Sequence, residues 1–167
     1  MITTGESLEK YQDVFLKEGI QLSLLGQSRH DFERLKIVFT SIDSMFLFPT
    51  EHESELNKYL EKLIDHGFNF VLTDGGCDIG LLSVYANNQI TKIAYTSTIG
   101  ITPSHRKGAL GRNLVKFGLE FLKEIGMRQV KAEIHKNNAI WLRYLQRLKF
   151  EIESEKEDGN YVIVREL

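Results

Sequence analysis

Apolar and polar positions change their spacing several times along this chain, and each change predicts a new element. Residues 20 to 25, Ile-Gln-Leu-Ser-Leu-Leu, alternate as a first strand would. Ser28 then stands at an N-cap position ahead of Phe32, Leu35, Ile37, Val38 and Phe39, which recur at helical spacing. Thr50-Glu51-His52-Glu53 has the form of a capping box and opens a second helix, striped by Leu56, Leu60, Leu63 and Ile64 and ending near His66. From Phe68 the period drops to two. Phe68 to Thr73, Asp78 to Tyr85 and Thr91 to Ile101 read as an antiparallel meander, divided by Asp74-Gly75-Gly76 and Asn87-Asn88. Leu110, Leu114, Phe117, Phe121 and Ile125 mark a third helix, with Gly126 as its C-cap. Gln129 to His135 follows as a strand and Asn138 to Lys149 as a helix. Phe150 to Glu157 and Tyr161 to Glu166 form a closing hairpin around Asp158-Gly159-Asn160. The order is β-α-α-β-β-β-α-β-α-β-β, with residues 1 to 18 as an N-terminal extension.

At 167 residues and 42% hydrophobic, the chain suits one domain spanning 1 to 167. Its 21 Lys and Arg against 23 Asp and Glu leave a net charge of -2, so no global field favours nucleic acid and anion binding must be local. The single cysteine, Cys77, excludes an internal disulfide and a cysteine-built zinc site. His30, His52 and His66 lack ligand spacing, so no metal is expected. No apolar run approaches the roughly 20 residues that a membrane helix needs, and Met-Ile-Thr-Thr-Gly-Glu has no signal-peptide pattern. The expectation is a cytoplasmic protein without membrane contact.

Ile99 to Leu114 carries the densest chemistry. It runs a strand through Pro103 into a basic, glycine-bearing turn and then a helix, and a helix start presents unpaired N–H groups and partial positive charge to an anion. Arg106, Lys107 and Arg112 add formal charge, and Gly108 and Gly111 keep the backbone approachable. His105 stands beside them. No Gly-Lys-Ser/Thr closes the turn as in a Walker P-loop.

This element order, with Arg106-Lys107-Gly108-Ala109-Leu110-Gly111 in place of the signature Arg/Gln-x-x-Gly-x-Gly/Ala, resembles the GCN5-related N-acetyltransferase (GNAT) superfamily over nearly the whole chain. Ala109 replaces the first motif glycine; Ile101-Thr102-Pro103 reproduces the aliphatic residue two before a proline. The resemblance implies a single α/β (α+β) domain, with a mixed, mostly antiparallel sheet of about seven strands and four helices. It implies acetyl-CoA as donor, its pyrophosphate on Arg106 to Arg112 and its pantetheine arm paired with the backbone of Ile99, Gly100 and Ile101. It also implies an N–H near Ile99 to Ile101 for the thioester carbonyl.

The family's second signature is an asparagine opening the next helix, then a tyrosine, then Gly-Phe. Counted back from Phe150, the asparagine falls on Asn138 and the tyrosine on Leu145; counted from Asn137, Tyr144 is in register. One residue rotates a helical side chain by about 100°. Tyr144 is either the acid that protonates the departing thiolate or a packing residue, and Asn138 an N-cap, a donor ligand, or both. Regular alternation puts Tyr95, Ser97 and Ile99 on one face of their strand with no carboxylate or histidine, which leaves His135, then Glu133, or water as base. The acceptor site is expected around Ser41 to Glu53 and Ser154 to Tyr161, lined by Phe46, Phe48 and Tyr161. The acceptor expected is a small-molecule amine, with a protein lysine or N-terminus open; a sensor without turnover is the other reading. A homodimer is expected through exposed edge strands.

Overall fold

The computed structural model describes residues 5–42 and 52–167. Pro49, Phe46, Phe48, Thr50 and Glu51 lie outside them. In chain order the elements are α1 (Gly5–Leu16), β1 (Gln21–Leu24), α2 (Arg29–Ser41), α3 (Glu53–His66), β2 (Phe68–Asp74), β3 (Cys77–Tyr85), β4 (Ile93–Ile101), α4 (Leu110–Glu124), β5 (Gln129–His135), α5 (Ala139–Arg147), β6 (Glu151–Glu155) and β7 (Asn160–Glu166). A single 3-10 turn, Pro103–His105, lies between β4 and α4. The seven strands form one sheet in the order β1-β2-β3-β4-β5-β7-β6, antiparallel except for β4 beside β5.

Helices cover the two faces unequally. Phe70, Leu72, Leu82 and Val84 meet Phe117 and Phe121 of α4 and Phe15 of α1 on one face, and Leu145 of α5 joins the same cluster. Val71 and Leu81 meet Leu35, Val38, Leu60 and Leu63 of α2 and α3 on the other. Gly118 allows the close approach of α4, because a Cβ there would stand 2.9 Å from Leu82 Cδ2. On the other face, α2 and α3 pack over β2 and β3.

From Gly5 onward the N-terminal residues pack on the domain. Tyr11 and Phe15 of α1 are buried against α4. Glu124, at the end of α4, caps the start of the helix: its carboxylate accepts from the N–H groups of Glu6 and Ser7 and from Ser7 Oγ. The Gln12 carboxamide donates to Leu22 O at 2.9 Å and accepts from Leu22 N at 2.7 Å, closing the outer edge of β1 as another strand would. A fifth helix therefore precedes the expected order.

Local signals set the remaining boundaries. Ser28 Oγ accepts from Asp31 N and caps α2. His52, without a side-chain bond, is the N-cap of α3. Gly126, at φ 88°, ends α4, with its N–H on Lys123 O and that of Met127 on Leu122 O. Arg34 of α2 grips Asp78 of β3 through two bonds of 2.9 and 2.8 Å, with Thr73 Oγ1 donating a third to the same carboxylate.

Burial alone would raise the Asp78 carboxyl, yet the hydrogen bonds from Arg34 and Thr73 outweigh it and hold the group below the ordinary carboxylate range. The folded chain releases this proton at lower pH than the unfolded chain. The resulting stability is complete above the ordinary carboxylate range and is lost as pH falls through the lowered folded-state value. Asp78→Asn should cost about 2 kcal/mol at neutral pH and flatten the acid limb of the urea midpoint plotted against pH; equal acid sensitivity in both chains would refute this. Phe15→Ala should cost about 3 to 5 kcal/mol in urea unfolding, and a loss under 1 kcal/mol would make α1 dispensable.

Candidate active site

The parallel ladder between β4 and β5 has four rungs, from Ile93 opposite Gln129 to Thr96 opposite Ala132. Beyond it the strands part. A cleft of about 360 Å³ opens there, lined by β4 from Tyr95 to Ile99, by β5 from Ala132 to His135, and by Phe39, Tyr59, Asn138, Trp141 and Leu145.

Register on the β3 side explains which groups face the gap. The N–H of Thr102 donates to Ile79 O of β3 at 2.8 Å, so pleating directs the backbone of Gly100 toward β3 and that of Ile99 and Ile101 toward the gap. Arg106 Nε donates to Ile101 O at 3.0 Å. That carbonyl already has a partner, and the expected pairing edge narrows to the N–H groups of Ile99 and Ile101 with the carbonyl of Ile99.

A bulge corrects the expected alternation on β4. Ser83 pairs with Thr98 but Val84 pairs with Thr96, leaving Ser97 as the extra residue. Ser97 Oγ and Thr98 Oγ1 consequently both reach Tyr59 Oη, at 2.6 and 3.0 Å, which adjacent residues of a regular strand cannot do. Past the bulge Ile99 lies on the α4 and α5 face, where it packs on that core, while Tyr95 is on the other face.

The basic turn holds its shape by anchoring both ends. His105 Nε2 lies 2.9 Å from Asp74 Oδ2 in the β2–β3 turn, and Arg106 is tied to Ile101. Gly108 has φ 97°, a left-handed conformation that a Cβ would strain. Ala109 is the N-cap of α4 and contributes no side-chain bond. The N–H groups of Leu110, Gly111 and Arg112 therefore begin the helix without intrahelical acceptors, beside the exposed Lys107. A Cβ on Gly111 would meet Ile101 and Trp141 only at 3.7 Å. The protein itself does not demand glycine there.

α5 sends Leu145 and Tyr144 to different places. Leu145 lines the cleft; Tyr144 does not, stacking on Trp141 with its Oη 3.4 Å from Arg112 O at the rim between α4 and α5. Burial pushes the Tyr144 phenol up, and Arg112 works against that. Asn138 lines the cleft and makes no side-chain cap bond.

On β5, His135 Nδ1 accepts from Asn137 N at 3.1 Å. Glu133 accepts from Tyr95 Oη at 3.1 Å and from Lys156 Nζ at 3.0 and 3.2 Å. The carboxylate pushes the Lys156 ammonium up, while burial and then Glu133 push the Tyr95 phenol up. Tyr161 opposes Ile134 and packs in the α4 and α5 core rather than lining the cleft. Phe39, Tyr59 and Tyr95 were missed by sequence reasoning. They come from α2, α3 and β4 and meet only in the folded chain.

A parted parallel pair beside a basic helix start defines a class of transferase that takes an acyl-CoA donor. The family described as "Acetyltransferase (GNAT) family" matches residues 35–150, and the chain belongs to it. It is an N-acetyltransferase whose donor is acetyl-CoA and whose acceptor is an amine. The GNAT domain of S. lividans PAT is similar at 16% identity and TM-score 0.73, covering 89% of this chain and 90% of that one. PaiA N-acetyltransferase from Thermoplasma acidophilum, in complex with coenzyme A, is similar at 13% identity and TM-score 0.69, covering 89% and 99%. Arabidopsis thaliana Naa50, in complex with the bisubstrate analogue CoA-Ac-MVNAL, is similar at 20% identity and TM-score 0.67, covering 87% and 99%. No curated protein matches the chain. Among the described residues no helix is long and apolar enough to cross a membrane, and no group of side chains forms a metal site.

Gly108→Ala should destabilise the fold by about 1 kcal/mol through its left-handed backbone, whereas Gly111→Ala should fall within about 0.5 kcal/mol of the parent in urea unfolding. Equal losses at both positions would mean that the turn is not shaped as described.

Proposed function

We propose that the chain acetylates the primary amine of a small molecule, with donor and acceptor held together in a ternary complex. The observation that carries this reading is the cleft, which passes through the sheet where β4 and β5 part. A donor lying on the α4 and α5 face can meet an amine arriving from the opposite face. The 360 Å³ volume is of the size that small ligands fill.

On the donor side, the N–H groups of Leu110, Gly111 and Arg112 hold the pyrophosphate, with Arg106, Lys107 and Arg112 as counter-charge and Gly108 and Ala109 leaving the approach open. Ile99, Gly100 and Ile101 form the strand edge for the pantetheine arm, and the Ile99 N–H faces the thioester oxygen. A donor of that kind contributes about 2.7 to 4 kcal/mol to acyl transfer. Asn138, its side chain not spent on capping, adds a contact at the mouth.

The incoming ammonium first loses one proton to the β5 side, where Glu133 and His135 stand. The nitrogen lone pair then forms the N–C bond to the acetyl carbonyl carbon, the C–S bond breaks, and nitrogen gives up a second proton. The thiolate takes a proton in leaving, with Tyr144 at the rim as its source; a thiol of pKa near 8.5 needs little help. The exposed Cys77 thiol supports a reducing, cytoplasmic setting, and β6, exposed along its length, supports pairing of two copies.

Leu145 in the cleft favours one second reading, a sensor that binds acetyl-CoA without turnover. Arg106→Glu should weaken acetyl-CoA binding about tenfold or more in calorimetry, and unchanged affinity would overturn the phosphate site. CoA release with a panel of amines separates the two readings: tight binding with no release on any amine selects the sensor.

A further inference from the structure

The acceptor side of the cleft has a composition that selects among amines. Of the described residues lining the cleft, Glu133 alone carries a formal charge at neutral pH with histidine neutral, and no lysine or arginine stands among them. It sits on β5 one residue past Ala132, the last rung of the parallel ladder, and therefore at the vertex of the gap. Its side chain is 20% exposed and accepts from Tyr95 Oη, while Lys156 from the β6–β7 turn lays a primary ammonium on it at 3.0 Å. The chain thus shows its own carboxylate receiving the functional group that an acceptor brings. Lys156 is 45% exposed, and ion pairs that open to water are weak enough to exchange.

Around that carboxylate the walls are aromatic. Phe39 and Tyr59 pack with ring centroids 5.6 Å apart, and Tyr95 lines the same side of the cleft. The hydroxyls are already engaged, Tyr59 Oη with Ser97 and Thr98 and Tyr95 Oη with Glu133, so what these rings offer a substrate is mainly carbon surface. Ring faces attract both apolar bodies and cations. A sugar's hydroxyls would meet ring carbon over much of that wall, and a carboxylate on the acceptor would be repelled by Glu133.

We infer that the acceptor is a primary amine on an aromatic or comparably apolar body without an anionic group, anchored by exchange of its ammonium for Lys156 on Glu133, which takes the first proton. This rests on the acetyltransferase reading above. Glu133 accepts one proton from R-NH3+, giving R-NH2 next to the donor carbonyl; the N–C bond then forms as the C–S bond breaks, Tyr144 protonates the departing thiolate so that coenzyme A leaves as the thiol, and the second proton released by the nitrogen replaces the one Tyr144 gave.

The test compares phenethylamine, phenylalanine and glucosamine as acceptors by CoA release, with acetyl-CoA affinity measured in parallel. Phenethylamine should exceed each of the others by about tenfold or more in kcat/KM. Glu133→Gln should lower kcat/KM for phenethylamine by about 100-fold with acetyl-CoA affinity unchanged, which also shows that the variant is folded. Lys156→Ala removes the competing ammonium and should lower KM for phenethylamine. Preference for glucosamine or phenylalanine overturns the inference alone, as does a Glu133→Gln enzyme within threefold of the parent. Absence of CoA release from every amine overturns the acetyltransferase reading and this inference with it.

Discussion

The constraint on which the rest of the site depends is the length of one ladder. β4 and β5 are parallel neighbours for only four rungs, and everything past Thr96 and Ala132 has lost its partner strand. Backbone N–H and C=O groups left apart from both water and a partner are costly, so such a gap persists only where something else satisfies them. Arg106 does so for Ile101 O. Openness to water, and in the proposed reading the amide-bearing arm of the donor, serves the rest. Each strand also has a commitment on its far side: β4 remains zipped to β3 as far as Gly80, and β5 remains zipped to β7 as far as Asn160. The gap can therefore stay open without loosening the sheet.

The bulge at Ser97 lies at the same place and divides the labour of the two faces. By inserting one residue it sends Ser97 and Thr98 toward Tyr59 and returns Ile99 to the α4 and α5 face. Without it, the side chain of Ile99 would project among the acceptor-side groups. The turn after β4 then has to place a helix start at the mouth of the gap, and two side chains fix it: His105 to the β2–β3 turn, Arg106 to the end of β4. Gly108 completes the geometry with the one left-handed residue in the turn.

How much of this was legible in the sequence depends on how local each cause is. The hairpin turns, the stripe of α4 and its glycine cap are written in residues a few positions apart, and the elements they predict are present within a few residues. α1 carried a stripe too, in Leu8, Tyr11 and Phe15, but the carboxylate that takes its first N–H groups belongs to Glu124, more than a hundred residues away. The bulge has no glycine or proline to mark it. The alignment of α5 turned on one residue, and tertiary packing decided it: Leu145 fits the apolar cluster with Phe150 and Ile163, so Tyr144 is rotated to the α4 rim. The basic turn was legible because its chemistry is concentrated in seven consecutive residues. The acceptor side was not, since Phe39, Tyr59, Tyr95 and Glu133 come from four separate elements.

That difference follows from what each half of the cleft is made of. The proposed donor side is built from backbone: a strand edge, a helix start and a left-handed turn, which many side chains permit provided they are small or point away. Ala109 in place of a glycine costs nothing there because the N-cap contributes through its backbone alone. Identity at 13 to 20% is accordingly compatible with a shared fold. The acceptor side is built from side chains on α2, α3, β4 and β5, where each substitution changes charge, shape or hydrogen bonding directly. A chain can drift far from its relatives in the first half and keep the same donor, whereas a single exchange at Glu133 or Tyr59 rewrites what the second half can recognise.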